Sequence, residues 1–393
     1  MSDAIVVINA GSSSIKFALY SAALDQQAGC IFRGQIDGLG ANPRFSAWDA
    51  DGNALSARPL PPPTDHALAV GEALDWLEDH DTSYTVVAAG HRVVHGGDFF
   101  SQPVRVDDAV LNKLQTLSCL APLHQPHNIE GIRAVARHRP RLAQVACFDT
   151  EFHQSQPAIA RALPLPAALT ASGLKRYGFH GLSYEYIALK LPEMLGDLAG
   201  GRVVVAHLGN GASMCAMLAG KSVASTMGFT ALDGLMMGTR SGAIDPGVLL
   251  HLLEQRDMTP AELSRLLYHE SGLLGVSGLS HDMRTLLASS DQRAGFAIDL
   301  FVYRIVRELG SLAAALGGLD ALVFTAGIGE QAAPVRAAVC EASAWLGVRL
   351  DRRANDMHET VISAHDSRVA VLVLSTDEEA MIARHALGNL SQG

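Results

Sequence analysis

Apolar residues fill the positions from Ile5 to Ile8, stop at Asn9-Ala10-Gly11-Ser12-Ser13-Ser14, and resume as the alternating Ile15, Phe17 and Leu19. The pattern predicts a buried strand, a turn of small hydrogen-bonding residues, and a second strand. "YTVVAAGHRVVHGG" (84–97) and "GRVVVAHLGNGASMCAML" (201–218) likewise read as buried strands that run into glycine-rich turns. Other stretches carry helical spacing. "TPAELSRLLYHE" has Thr259 as N-cap, Pro260 at N1 and Glu262 at N3. "GFAIDLFVYRIVRELGSLAAALGG" is apolar every three to four residues and stops at Gly317-Gly318. "ARPLPPPTD" predicts an extended loop before the helix "DHALAVGEALDWLEDH". Strands alternating with helices indicate an α/β fold.

A fainter regularity lies over this alternation. Set without gaps, "VVINAGSSSIKFA" (6–18) and "VVAHLGNGASMCA" (204–216) both run from two valines to a glycine and on to an alanine. They lie about half a chain length apart, which predicts two domains built on one plan and a shared cleft. "ALVFTAGIGEQ" (321–331) predicts a third loop, again with an apolar strand before its glycines, Gly327 and Gly329.

Composition narrows the classes. At 393 residues, about two domains are expected. With 48% hydrophobic and 18% charged residues the chain suits a compact globular protein rather than a disordered one. A net charge of −10 argues against a nucleic-acid partner. No apolar run approaches a membrane span, and Asp3 without a basic leader argues against a signal peptide. Cys30, Cys119, Cys147, Cys215 and Cys340 are scattered, which points to reduced, buried thiols and the cytoplasm.

The interrupted strands are where chemistry enters. Glycine and serine at a strand turn let backbone N–H groups converge on an anion, and Lys16 adds a charge for a phosphate. A tight hairpin with polar turn residues is the plainer reading of any one such turn. The Walker pattern is missing: "AGKS" (219–222) has Cys215 where the first glycine belongs and sits between strands, so Gly220-Lys221 reads as a hairpin turn. Arg92, flanked by His91 and His95, and Arg240, in a nearly uncharged glycine loop, are arginines in apolar company. Each suits a structural ion pair; two together suit clamps on a small anion. Asp149 ends a strand ahead of Glu151 and His153, His180 stands between Phe179 and Gly181, and His124 and His127 share a loop. No zinc spacing occurs among the 16 histidines. Glu378 starts a helix, as an acid suited to the helix dipole or as a carboxylate for Mg2+.

Taken as a set, "INAGSSSIKF", "GHRVVHGG", "APLHQP", "FDTEFH", "RYGFHG", "HLGNGAS", "GLMMGTRSGAIDPG", "HDMRTL", "TAGIGE" and "TDEEAMIA" resemble the acetate/propionate kinase family, in family order from Ile8 to Ala383. The resemblance implies a duplicated actin-like (ribonuclease H-like) two-domain α/β fold with an interdomain ATP cleft. It puts an N-terminal domain at 1–149 plus 378–393 and a nucleotide-binding domain at 150–377. It implies reversible, direct in-line transfer of the ATP γ-phosphoryl group to acetate, giving acetyl phosphate and ADP. Propionate kinase or another short-chain carboxylate kinase is the alternative within the fold, and a non-enzymatic actin-like filament protein the alternative outside it. It further implies Mg2+, with Mn2+ as a substitute, and a homodimer.

Residue by residue, the resemblance implies that Asn9 and Glu378 act through the metal and that Lys16 and the turn at Ser12 lie near the phosphates. Arg92 and Arg240 would hold the carboxylate and the phosphoryl group, Asp149 would assist the carboxylate, and His180 would stabilise the transition state. His124, Val94, Leu123, Phe179 and Ala231 would line the acyl site. His207, Leu208, Gly209, Asn210, Gly211, Asp282, Met283, Arg284, Gly327, Ile328, Gly329, Glu330 and Gln331 would bind ATP. Five positions depart from the family pattern: Ala231 where the family usually has proline, Gln125 and Gln331 for asparagine, Leu182 for threonine and Tyr184 for histidine.

Overall fold

The computed structural model describes residues 2–11, 13–22, 29–40, 42–80 and 83–391. The chain divides into two compact units, Met1–Glu151 with Asp377–Gly393, and Phe152–Thr376. The first holds β1 (Ser2–Ala10), β2 (Ser14–Ser21), β3 (Cys30–Asp37), β4 (Arg44–Asp49), β5 (Ala54–Pro59), β6 (Tyr84–Val93), β7 (Val104–Arg105) and β8 (Ala143–Phe148). Among the described residues they form one sheet, ordered β5-β4-β3-β2-β1-β6-β8-β7. β1 to β5 pair antiparallel in succession, whereas β1 with β6 and β6 with β8 are parallel. Parallel pairs need long crossovers. The helices His66–His80 and Gln125–His138 supply them.

Side-chain alternation then sorts the two faces of that sheet. Val6, Ile8, Ile15 and Phe17 point into a core that includes Ala69, Val70 and Ala73 of helix His66–His80. Trp76 of that helix packs its ring 5.5 Å from Phe45. The opposite face receives the returning helix Glu378–Leu390, and Gly90 on β6 makes the approach possible. A Cβ at Gly90 would lie 2.5 Å from Ile382 Cγ2. Val7 pairs with Gly90, so Asn9 and Arg92, each two residues on, share this face. Asn9 in turn pairs with Lys16. Register alone therefore brings three of the sequence-predicted site residues to one face.

The second unit holds β9 (Arg202–Leu208), β10 (Ala212–Leu218), β11 (Lys221–Ser225), β12 (Ala321–Thr325) and β13 (Ala370–Val373). Their order is β11-β10-β9-β12-β13. β9, β10 and β11 run antiparallel, and β12 is parallel to both β9 and β13. The same succession of directions runs through β3-β2-β1-β6-β8, so the internal echo is an echo of hairpins β1–β2 and β9–β10. The turns differ in length: residues 11–14 lie between the pair Ala10 and Ile15, and residues 209–211 between Leu208 and Ala212.

Local signals elsewhere act as expected. Thr259 and Glu262 form a reciprocal capping box on helix Pro260–His269. Helix Gln292–Leu316 ends at Gly317, whose φ of 72° is the left-handed conformation that glycine adopts without strain. Gly220 turns the β10–β11 hairpin with φ of 71°. One expectation needs correcting. The third glycine stretch is no open loop, because β12 turns sharply at Ala326 (φ 64°) straight into the helix Ala326–Gln331.

Candidate active site

In the first unit, Arg92 sits one residue before the end of β6 and Asp149 directly follows β8. The parallel pairing of Arg92 with Cys147 brings the two together. Arg92 donates from Nε to Asp149 Oδ1 at 2.9 Å and from Nη2 to Oδ2 at 2.7 Å, a planar bidentate match. Asp149 is 2% exposed, and its own N–H donates to the Val93 carbonyl. Glu378, at the start of the returning helix, brings a second carboxylate to within 3.6 Å of Arg92 Nε. Burial pushes the Glu378 carboxyl up, opposed by Arg92 and Lys16 and reinforced by Asp149 and Glu379. Glu378 and Glu379 are the acids of the helix's first turn, as the dipole argument expects, while the capping hydrogen bond belongs to their neighbour. Asp377 caps the helix by accepting from Ala380 N, and also accepts from Tyr20 Oη and Arg33 Nη2.

Two amides hold the frame, and sequence reasoning missed both functions. Asn128 donates to the Ala10 carbonyl at 2.8 Å and accepts from Val94 N at 3.0 Å, tying the ends of β1 and β6 together. Gln125 makes paired hydrogen bonds to the backbone of His95. Both lie on the buried stripe of helix Gln125–His138 with Ile129 and Ile132. Amides at helical spacing within an apolar stripe were the signal available. Of the other predicted residues here, Val94 is buried, whereas Lys16, Leu123 and His124 are exposed. Ser12 lies outside the described residues.

The second unit presents a different chemistry. His180 caps helix Gly181–Leu195 in the left-handed conformation, φ 58°, and its Nδ1 lies 2.8 Å from Ser213 Oγ on β10. His153 Nε2 donates to the carbonyl of buried Phe179, fixing the peptide that leads into His180. The His180 ring stacks on His207 with centroids 4.2 Å apart, and His207 Nδ1 meets Ser183 Oγ at 2.8 Å. Arg240 Nη1 donates to the Ala231 carbonyl at 2.6 Å. Its Nη2 points at Gly211, where an added Cβ would lie 2.5 Å from Nη2 and 3.4 Å from His180 Nε2. A charged donor and an imidazole nitrogen thus converge beside a backbone kept bare by glycine.

The predicted nucleotide residues divide by burial. Leu208 and Met283 are buried core side chains, so only their backbone could meet a ligand. Asn210 is exposed, and its carbonyl accepts from Gly238 N, joining the β9–β10 turn to the loop that carries Arg240. Gly209 N–H is engaged within the turn by Gly211 O. Asp282 caps helix Met283–Leu287 and pairs with its exposed neighbour Arg284 at 2.9 Å. Within 327–331, buried Arg336 donates to the carbonyls of Gly329 and Glu330. The Glu330 carboxylate accepts from Ser375, and Ile328 and Gln331 belong to the same short helix.

A model of the Acetokinase family matches residues 4–384. The chain belongs to this family. The acetate kinase of Rhodopseudomonas palustris (strain TIE-1) is 57% identical over 389 residues, covering 98% of each chain. Among solved structures, Porphyromonas gingivalis acetate kinase aligns with a TM-score of 0.90 at 37% identity, covering 99% of this chain and all of that one. A propionate kinase from Francisella tularensis subsp. tularensis SCHU S4 aligns with a TM-score of 0.92 at 36% identity and the same coverage. In this family member, as in any α/β fold, the polar groups cluster at the carboxyl ends of parallel strands and at strand turns. Among the described residues no helix is long and apolar enough to cross a membrane.

Two histidines beside Arg92 make the first unit sensitive to acid. His91 donates from Nε2 to Gln144 at 2.8 Å, and His95 Nδ1 accepts from Gly97 N at 2.9 Å. Burial pushes both down to about 4. The unfolded chain binds their protons near the ordinary value of 6.5, so stability is full above 6.5 and falls as the pH drops towards 4. Thermal unfolding followed from pH 7.5 to 5 should show a declining midpoint. His91→Gln/His95→Gln should flatten that decline; an unchanged slope would assign the acid sensitivity to other groups.

Proposed function

We propose that this chain is an ATP:acetate phosphotransferase, moving the γ-phosphoryl group of ATP to acetate to give acetyl phosphate and ADP, and running in reverse. The observation that carries the reading is the convergence of Arg240 Nη2 and His180 Nε2 beside Gly211, in a chain 57% identical to an acetate kinase. An acetate carboxylate is already a nucleophile at neutral pH, so the protein's task is to bring two anions together and neutralise charge on the transferring group. Arg240 and His180 supply preorganised donors for the phosphoryl oxygens. Arg92 holds the acceptor carboxylate. Asp149 takes its Nε and Nη2, which leaves Nη1 as the edge offered to substrate. Lys16 and the β9–β10 turn serve the nucleotide.

Mg2+ fits the donors in the first unit. Glu378 and Asn9 offer hard oxygen atoms, and Asp149 with Glu378 gives two carboxylates to one partly buried guanidinium. Among the described residues no group of three or more His, Cys, Asp or Glu side chains could hold a metal alone. Mg2+ commonly takes one or two protein oxygens and completes its shell with water and phosphate. When bound, it supplies positive charge to the nucleotide phosphates. The free thiols of all five cysteines support a cytoplasmic enzyme.

Trapping the product as hydroxamate, with ATP and acetate, propionate or butyrate, tests the reading; no acyl phosphate from any of them would overturn it. Arg92→Ala and Arg240→Ala should each retain the fold by circular dichroism and lose about 10²-fold or more in kcat. Wild-type turnover in either would remove its clamp role.

Glu378→Gln keeps the shape and removes a charge, so half-saturation by Mg2+ should rise several-fold while the thermal midpoint holds. An unchanged Mg2+ titration would take Glu378 out of the metal site.

Acyl selectivity is the one place where a second acceptor is favoured by an observation. Ala231 stands where the family usually has proline, and its carbonyl is held by Arg240, which couples the pocket wall to the clamp. A methylene in an apolar pocket is worth about 1–3 kcal/mol. Propionate should therefore be a good substrate, and Ala231→Pro should lower kcat/KM for propionate more than for acetate. Equal responses would mean that Ala231 does not set chain length.

A further inference from the structure

The buried hydroxyls behind His180 have no part in the function proposed above. Ser213 and Tyr184 are both 0% exposed, and Ser213 is a polar residue in the apolar strand β10. Ser213 Oγ lies 2.8 Å from His180 Nδ1 and 2.5 Å from Tyr184 Oη. These three groups form a chain of two short hydrogen bonds that ends on the ring facing Gly211. We propose that Tyr184 and Ser213 fix the proton of His180 on Nε2, so that the ring presents a donor and not a lone pair towards Gly211 and Arg240.

Acidity sets the direction of the chain. A phenol is a stronger hydrogen-bond donor than an aliphatic hydroxyl, and a neutral imidazole nitrogen is a stronger acceptor than either oxygen. Tyr184 Oη–H therefore donates to Ser213 Oγ, and Ser213 Oγ–H donates to His180 Nδ1. With Nδ1 accepting, the neutral ring carries its hydrogen on Nε2. The opposite order would make the weakest donor, serine, serve the phenol oxygen and would leave a lone pair on Nε2.

The surroundings hold the ring where this choice matters. His153 anchors the Phe179 carbonyl, the left-handed backbone at His180 starts the helix, and the His207 ring stacks on His180 with planes 18° from parallel. The ring thus has one orientation in which Nδ1 meets Ser213 and Nε2 lies on the Gly211 side. A lone pair there would repel phosphoryl oxygens, whereas an N–H attracts them. Ser213 and Tyr184 are positioning residues: they act through His180. The proton assignment stands on these distances and on the relative donor and acceptor strengths; only its consequence for turnover rests on the proposed phosphoryl transfer.

Long-range proton–nitrogen correlation spectra of the full chain labelled with 15N-histidine read the tautomer directly, with the His180 signals identified by their loss in His180→Gln. The wild type should show His180 with its proton on Nε2, and Tyr184→Phe should shift the Nδ1 resonance towards a weaker hydrogen bond. Tyr184→Phe and Ser213→Ala should each lower kcat by about 10–100-fold, as for other groups that orient an active histidine, with KM for ATP and acetate within about twofold. A purely structural role would lower the thermal midpoint and leave the tautomer and the kcat-to-KM split unmoved. A wild-type proton on Nδ1 would overturn the proposal, as would wild-type kcat in both variants. If Ser213→Ala fails to fold, the wild-type spectrum and Tyr184→Phe still decide. If the wild type phosphorylates neither acetate nor propionate, the proposed function fails while the spectrum still tests the proton assignment.

Discussion

Taking most of the Arg92 guanidinium out of water at the end of a parallel strand is the constraint on which the first unit turns. A guanidinium cannot lose its proton, so the fold must bring it an anion. Pairing β6 with β8 in the observed register does so by placing Asp149 level with the Nε–Nη2 edge. The second carboxylate arrives by another route. Gly90 removes the Cβ that would keep helix Glu378–Leu390 off the sheet, and Glu378 in its first turn then reaches Arg92. Such a cluster is a poor way to gain stability, because desolvation offsets much of the Coulomb attraction. Two carboxylates, Asp149 and Glu378, therefore stand against the one Arg92 guanidinium.

The second unit braces His180 mainly with dipoles. Around His180 the groups are hydroxyls, imidazoles and backbone carbonyls, and Arg240 is the cation among them. A dipolar network is cheap to bury only when each member is satisfied. His153, Ser222 and Gln156 form one such network, and Tyr184, Ser213 and His180 another. Both brace the same turn, Phe179–His180, from two sides. That bracing lets a non-glycine residue persist at φ 58°.

Much of this was legible from residue order, and the reason differs by element. The capping box at Thr259, the stop at Gly317 and the hairpin at Gly220 are local events decided within a few residues, so local patterns reveal them. Arg92 and Arg240 stood out because charge is rare in apolar company. What stayed hidden depends on register and tertiary contact. Nothing within "APLHQPHN" says that Asn128 will join Ala10 to Val94, since that bridge exists only once β1 and β6 are neighbours. The glycines at 327 and 329 looked like a turn, yet the pivot is Ala326, a residue with no intrinsic liking for its φ of 64°.

Departures from the family pattern follow the same division between local and tertiary causes. Gln125 is one methylene longer than the usual asparagine, yet both of its amide groups reach the backbone of His95, so the replacement leaves no buried polar group unpaired. Tyr184 stands for histidine and is entirely buried, which would be costly for a phenol without a partner. Its hydroxyl finds Ser213, one bond away from His180. Ala231 is different in kind, because the contact it makes is through its carbonyl, which proline would also possess. What changes there is side-chain volume and backbone freedom beside Arg240. The first two substitutions therefore bear on how buried polar groups are paired, and the third on the volume and backbone freedom beside Arg240.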